Sequence, residues 1–185
     1  MSITPLYLAL GSNLGDRRMA LQRGLQELAA RQVLTRRVSS LYDTDPVGFL
    51  DQPSFLNMAA EVTWEGSPEE LLRHCLEVEN ALGRVRQRKD GPRTLDIDML
   101  LAGDLILKSK GLEIPHPRMH LRRFVLQPLA EIAPHAVHPL MRLTVKELLE
   151  SCRDDAGVRK VAEPFKVEPP DPSGYNPAAS RGKHG

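Results

Sequence analysis

Residues 91–100 read GPRTLDIDML. Apolar and acidic residues alternate here: Leu95, Ile97 and Met99 fall on one side of an extended chain, Asp96 and Asp98 on the other. That period of two predicts a strand over 95–101, with one face packed and the other carrying a pair of carboxylates. Upstream, Ser67-Pro68-Glu69-Glu70 forms a capping box with proline at the first helical position, and Leu71, Cys75, Val78 and Leu82 follow at helical spacing until Gly83. Two more strand-like runs precede that helix, VLTRRVSSLY at 33–42 and FLNMAAEVTW at 55–64. The first strand is LYLAL at 6–10, and Asp16 caps a helix whose inner face carries Leu21, Leu25 and Leu28. The glycines of LALGSNLGD (8–16) predict a tight strand-to-helix turn; the lysine and hydroxyl of a P-loop are missing.

The order β, α, β, β, α, β, with hairpin links and helical crossovers, predicts an α+β fold: a ferredoxin-like αβα sandwich with a mainly antiparallel sheet. LILK at 105–108 is expected to pair beside the acidic strand across a turn at 102–104, and Thr144 with Glu147 opens a late helix. From Glu163 the text becomes EPFKVEPPDPSGYNPAASRGKHG, where only Phe165, Val167 and Tyr175 could anchor anything. Such a segment buries too little apolar surface to offset its ordering entropy, so a disordered or surface-draped tail is expected over 163–185, behind a folded domain at 1–162.

At 185 residues and 41% hydrophobic, the chain suits one ordinary core. Its formal charge of +1 provides no global field for nucleic acid or an anionic membrane. No apolar run is long enough to span a bilayer, and MSITPLYLALGSN lacks the basic segment and apolar core of a signal peptide, so a cytoplasmic location is expected. Cys75 and Cys152 match no metal spacing and read as reduced thiols, Cys75 on a helix's core face. His116, His120, His135 and His138 lack the helical spacing of a zinc pair.

Asp96 and Asp98 would lie about 7 Å apart on one face and repel each other. A solvated edge strand could carry them; so could a hard dication between them, and all-oxygen ligation favours magnesium. The preceding loop GRVRQRKDGPR (83–93) sets Arg84, Arg86, Arg88, Lys89 and Arg93 against one acid, Asp90. A basic loop running into an acidic pair suits a magnesium–polyphosphate complex, with guanidiniums clamping the charge the metal leaves. Two other readings fit the same features: a D-x-D nucleotidyl- or glycosyl-transferase, and an RNA-binding module using the arginines. Aromatic residues are only 4% of the chain and none interrupts the loop, which speaks against a stacking platform for single strands.

KDGPRTLDIDML (89–100) resembles the signature of the 6-hydroxymethyl-7,8-dihydropterin pyrophosphokinase family. Three further blocks resemble the same family: LALGSNLGD, its opening strand and turn; YDTDPVGFLDQPSFLN (42–57), its pterin-binding loop; and IPHPRMHLRRFVLQPLAEIAP (114–134), a later loop and helix. Together they cover about residues 5–140. The resemblance implies transfer of the pyrophosphoryl group of ATP to 6-hydroxymethyl-7,8-dihydropterin, with release of AMP, in folate biosynthesis. It implies two Mg2+ ions held by Asp96 and Asp98, and catalytic arginines at Arg84 and Arg93. For ATP it implies Glu79, Arg84, Arg86, Arg88, Arg93, Met99, His116 and Arg122; for the pterin, Thr44, Asp45, Val47, Phe55, Asn57 and Phe124. Partners are then the two substrates alone, without nucleic acid or membrane, and the chain is expected to be a monomer. The sequence departs from the family pattern at Asp90, where some members have a tryptophan before Gly91, and at Leu76, where a polar residue is common.

Overall fold

The computed structural model describes residues 4–83 and 91–167. Strand β1 (Leu6–Ser12) runs into helix α1 (Arg17–Ala30), whose N-terminus Asp16 caps by accepting from the Met19 N–H. Strands β2 (Leu34–Val38), β3 (Leu41–Thr44) and β4 (Phe55–Thr63) follow, then α2 (Pro68–Ala81), which starts in the expected capping box at Ser67 and Glu70. Strand β5 (Asp96–Ala102) carries the acidic pair. Beyond it lie a short hairpin of β6 (Leu107–Ser109) and β7 (Leu112–Ile114), helices α3 (Arg123–Ile132) and α4 (Val145–Ser151), and strand β8 (Val158–Ala162).

The main sheet has the order β5-β1-β4-β3-β8, with β2 also on β4, and each of its pairings is antiparallel. Because side chains alternate along each strand, the sheet feeds two cores. Leu8 and Leu10 of β1 with Ile97 and Met99 of β5 pack against α1 and α2, where Cys75 is fully buried. Tyr7, Ala59 and Leu101 belong to the core built by Leu126 and Leu129 of α3 and Leu148 of α4. This is the expected αβα sandwich.

Three local expectations need correction. The run 33–42 is two strands, broken at Ser39-Ser40. Ser39 donates its N–H to the Ala59 carbonyl and accepts the Ala59 N–H on its own Oγ, both at 2.9 Å, so a hydroxyl replaces the ladder carbonyl. Ser40 turns its N–H and hydroxyl to Glu131 Oε1 of α3, at 2.9 and 2.7 Å. Second, 105–108 does not pair with the acidic strand; β6 pairs with β7 in a separate sheet. The outer edge of β5 is already bonded, since the Ile97 N–H donates to Glu79 Oε1 (2.8 Å) and the Leu100 carbonyl accepts from the His116 N–H (2.9 Å). Third, sequence periodicity gave no sign of β8, which extends the sheet beyond β3. Arg159, Lys160 and Val161 are exposed in succession, so the strand lacks the alternation that marks a packed one. After it, Phe165 and Val167 pack against the first core, and the Arg18 guanidinium lies 4.9 Å from the Phe165 ring centre. The rest of the expected tail, 168–185, lies outside the described residues.

Candidate active site

The antiparallel registers decide which residues meet. The C-terminal ends of β1 and β3 come to the same edge of the sheet as the N-terminal ends of β4 and β5. Gly11 of β1 stands opposite Asn57 on one side and Asp96 on the other. With strands about 4.8 Å apart, Asn57 and Asp96 are separated by about 10 Å across one glycine. A Cβ on Gly11 would collide with the Asn57 carboxamide oxygen, so this glycine serves close approach inside a strand. The turn expected of the glycines falls to Gly15 instead, at φ 65°.

Asp96 and Asp98 are half-buried on one face while Ile97 and Met99 are buried on the other, as the alternation predicted. Burial pushes the Asp98 carboxyl up to about 7, with repulsion from Asp96 and Glu79 adding to it and Arg122 and Arg93 opposing it. Arg93 Nη1 donates to Asp96 Oδ2 at 3.3 Å, and its guanidinium lies 5.5 Å from the Phe55 ring centre. The Arg93 backbone is fixed on both sides, its N–H donating to Asn13 Oδ1 (2.8 Å) and its carbonyl accepting the Asn13 N–H (3.1 Å). Asn13 also donates to Gln52 Oε1 and the Pro53 carbonyl at 2.9 and 3.0 Å, joining the loop after β3 to the entrance of β5. No sequence motif assigns a role to Asn13. Its pairing with residues 39 to 80 positions away leaves no local signal.

Among the described residues no group of three or more histidine, cysteine or acidic side chains forms a complete metal cage. The aspartate pair does fit a hard dication that draws its remaining ligands from phosphate and water, since it offers oxygen donors only and, even with Arg93 and Arg122 nearby, the Asp98 carboxyl is held well above its ordinary range. Glu79, buried on α2, spends Oε1 on the Ile97 N–H and so fixes the strand between the two aspartates.

Beside the pair is a cleft of ≈ 340 Å³ whose lining includes Leu72, Asp98, Met99, Lys108, Leu112 and His116. The β6–β7 hairpin contributes Lys108, a residue the sequence reading treated only as the end of a strand. His116 Nδ1 accepts the Arg118 N–H at 3.1 Å, which leaves Nε2 as the ring's donor. Burial, with Arg122 and Arg118 nearby, lowers its pKa to about 4, so the ring is neutral at physiological pH. The Arg122 guanidinium lies 5.6 Å from the Phe124 ring centre. Helix α3 is capped from a distance: the Arg123 N–H donates to Asp154 Oδ2 at 2.9 Å.

On the other side of Gly11, Asn57 Nδ2 donates to Thr44 Oγ1 at 2.7 Å within a buried pair. That bond orients the carboxamide and leaves one amide hydrogen and the carbonyl oxygen for a ligand edge. Phe55 is opposite Thr44 in the ladder, while Asp45 and Val47 are exposed on the loop that follows. The expected arginines Arg84, Arg86 and Arg88, with Lys89 and Asp90, lie outside the described residues.

One edge of the sheet thus carries paired carboxylates on one strand and a polar, aromatic-flanked recess two strands away. Comparison with known proteins names the family. The model of the 7,8-dihydro-6-hydroxymethylpterin-pyrophosphokinase (HPPK) family matches residues 7–134, and the chain belongs to that family. It is 44% identical over 154 residues to a 2-amino-4-hydroxy-6-hydroxymethyldihydropteridine pyrophosphokinase of Bacillus subtilis, covering 83% of this chain and 87% of that one. A protein of the same description from Methylorubrum extorquens is 43% identical over 162 residues, covering 86% of this chain and 99% of the relative. Among solved structures, the wild-type HPPK-DHPS of Plasmodium falciparum with pteroate superposes with a TM-score of 0.63 at 15% identity, covering 80% of this chain. This chain spans 42% of that larger protein, and the likeness is one of fold. No helix among the described residues is long and apolar enough to cross a membrane.

Proposed function

We infer that the chain transfers the pyrophosphoryl group of ATP to the hydroxymethyl group of 6-hydroxymethyl-7,8-dihydropterin, giving AMP and the pterin diphosphate in folate biosynthesis. The observation that carries this reading is the row Asn57–Gly11–Asp96, which sets a pterin-edge partner and a phosphate-side carboxylate on the two strands flanking β1, with only the Gly11 hydrogen on the strand between them. The direct test is release of AMP from ATP that depends on the hydroxymethylpterin. A nucleotidyl- or glycosyl-transferase would release pyrophosphate or a nucleoside diphosphate instead, and an RNA binder would be indifferent to magnesium and ATP.

Members of the family use ATP with Mg2+, and Asp96 and Asp98 would hold it here. When bound, the cation would neutralise phosphate charge and act as a Lewis acid on the transferred group. The chain's own residues do the rest. Arg93 presents its guanidinium beside Asp96, next to the bridging phosphates, and Arg84, Arg86 and Arg88 of the preceding loop add charge for the same triphosphate. His116 offers Nε2–H to a phosphate oxygen, Arg122 adds a cation, and the Met99 strand and Glu79 border the nucleotide. Phe55 and Phe124 stack on the pterin, Asn57 reads its amide edge, and the backbone of Thr44, Asp45 and Val47 completes that edge. Positioning and charge stabilisation are most of what phosphoryl-type transfer asks of a protein. Two Mg2+ ions, a monomer working in the cytoplasm without nucleic acid, and a catalytic unit of 1–162 complete the reading. The last is supported by β8 ending at Ala162.

Two measurements bear on this geometry. Asp98 must lose its proton to hold a cation, and its folded pKa of about 7 is raised from the ordinary 3.8. In the free protein the fold's preference for neutral Asp98 therefore costs stability as pH rises from about 3.8, the loss being complete above about 7, whereas cation binding recovers it. Affinity for Mg2+ with ATP should fall about tenfold per pH unit below about 7, and the ligand-induced rise in Tm should be larger at pH 8 than at pH 6. An equal rise at both would remove Asp98 from the metal site. Gly11→Ala forces the Asn57 carboxamide aside, so the KM for the pterin should rise about tenfold or more, with a smaller change in the KM for ATP. Steady-state kinetics in each substrate reads the split. Equal changes in both would place the disturbance elsewhere.

A further inference from the structure

We propose that Arg159, on the last strand, is a positioning residue for pterin binding: with Gly157 it anchors the entry of the loop 45–54, and through Asp43 it is tied to Arg17, which anchors the loop's return. The proposal rests on the reading that this loop serves the pterin.

The geometry is a continuous clamp. Arg159 Nη2 donates to Asp43 Oδ1 and to Asp45 Oδ1, each at 3.1 Å. The Gly157 N–H donates to Asp45 Oδ2, and the Asp45 N–H donates to the Gly157 carbonyl, each at 3.0 Å. Asp45 is thus held by both carboxylate oxygens and by its backbone at the point where β3 ends and the loop begins. On the far side, Arg17 Nη1 donates to Asp43 Oδ2 (3.1 Å), to the Ser54 carbonyl (3.0 Å) and to Ser54 Oγ (3.1 Å), immediately before β4 starts at Phe55. Ser54 Oγ also donates to Asp43 Oδ2 at 3.2 Å. Asp43 therefore links the two ends of the loop through its two oxygens.

An isolated exposed ion pair does little, because water and salt screen it and two long side chains must be ordered. Two features separate this arrangement from such a pair. One guanidinium nitrogen is shared by two carboxylates already held elsewhere, Asp45 by the Gly157 N–H and Asp43 by Arg17 and the Ser54 hydroxyl, so less freedom is lost when the contacts form. The clamp is also fitted to a glycine at 157: a Cβ there would collide with Arg159 Nη1 and come within 2.6 Å of Asp45 Oδ2, so a larger residue would push the two side chains apart. β8 thus reaches the pterin side of the molecule although it lies beyond residue 134, where the match to the family ends.

The test compares Arg159→Ala, Arg159→Lys and Gly157→Ala with the wild-type chain. It uses calorimetric binding of the hydroxymethylpterin, kinetics in both substrates, and amide exchange across residues 47–52 of the free enzyme. Arg159→Ala should weaken pterin binding about fivefold and speed exchange in the loop, leaving kcat at saturating pterin and the KM for ATP near wild type. Arg159→Lys should recover part of the loss, and Gly157→Ala should reproduce it with Arg159 present. Unchanged pterin affinity and loop exchange in Arg159→Ala would overturn the proposal. So would a parallel fall in kcat, ATP affinity and Tm, which would make β8 an edge strand and nothing more. A wild-type chain that fails to bind the pterin, while Arg159→Ala still frees the loop, would instead remove the pterin reading and this proposal's function with it.

Discussion

Asp98→Asn should lower AMP formation by about a thousandfold or more, while the Tm near pH 8 stays the same or rises. The two outcomes have one cause. Asp98 sits beside Asp96 and near Glu79 in a half-buried position, and burial with that repulsion lifts its pKa to about 7. Above that pH the free protein carries an ionised carboxylate that the fold disfavours. Asparagine keeps the shape, removes the charge, and relieves the repulsion. The same change takes away one of the two carboxylates expected to hold the cation, and the triphosphate loses its main counter-charge. Measuring AMP release together with thermal melting separates the effects. Near-normal turnover would end the assignment of the aspartate pair to the metal, and a marked fall in Tm would mean that Asp98 has a structural task.

Arg93→Ala should reduce kcat by about a hundred- to a thousandfold and raise either KM by less than about tenfold. Its backbone bonds to Asn13 do not depend on the side chain, so the link from the loop after β3 to the entrance of β5 survives the truncation. What disappears is the guanidinium beside Asp96 and over Phe55, between the expected positions of phosphate and pterin. Arg93→Lys should restore little, because an ammonium cannot reproduce the planar fork. A raised KM with kcat preserved would make Arg93 a ground-state binding group.

Much of the architecture was legible residue by residue. The alternation through Leu95–Met99, the capping box at Ser67 and Glu70, and the inward leucines of the first helix are local patterns, and each became the expected element. Where the reading failed, the competing partner was distant. Ser39 and Ser40 break a strand because they bond to Ala59 and to Glu131, 91 positions from Ser40. The stretch 105–108 misses its expected neighbour because Glu79 and His116 already occupy that edge of β5.

The same division holds for the site. The chain order alone was enough to point to the family and to the acidic pair on one face of β5, because these rest on short stretches whose spacing a strand converts directly into geometry. The sequence could list Asn57, Gly11 and Asp96; only the antiparallel registers set them in one row, with the glycine hydrogen between the residues proposed to meet the pterin and the phosphates. The tie of Arg159 to Asp43 and Asp45 spans more than a hundred positions and follows from β8 docking on β3. Such contacts depend on which strands meet and in what register, which the packing of both sheet faces decides and no single stretch of chain encodes.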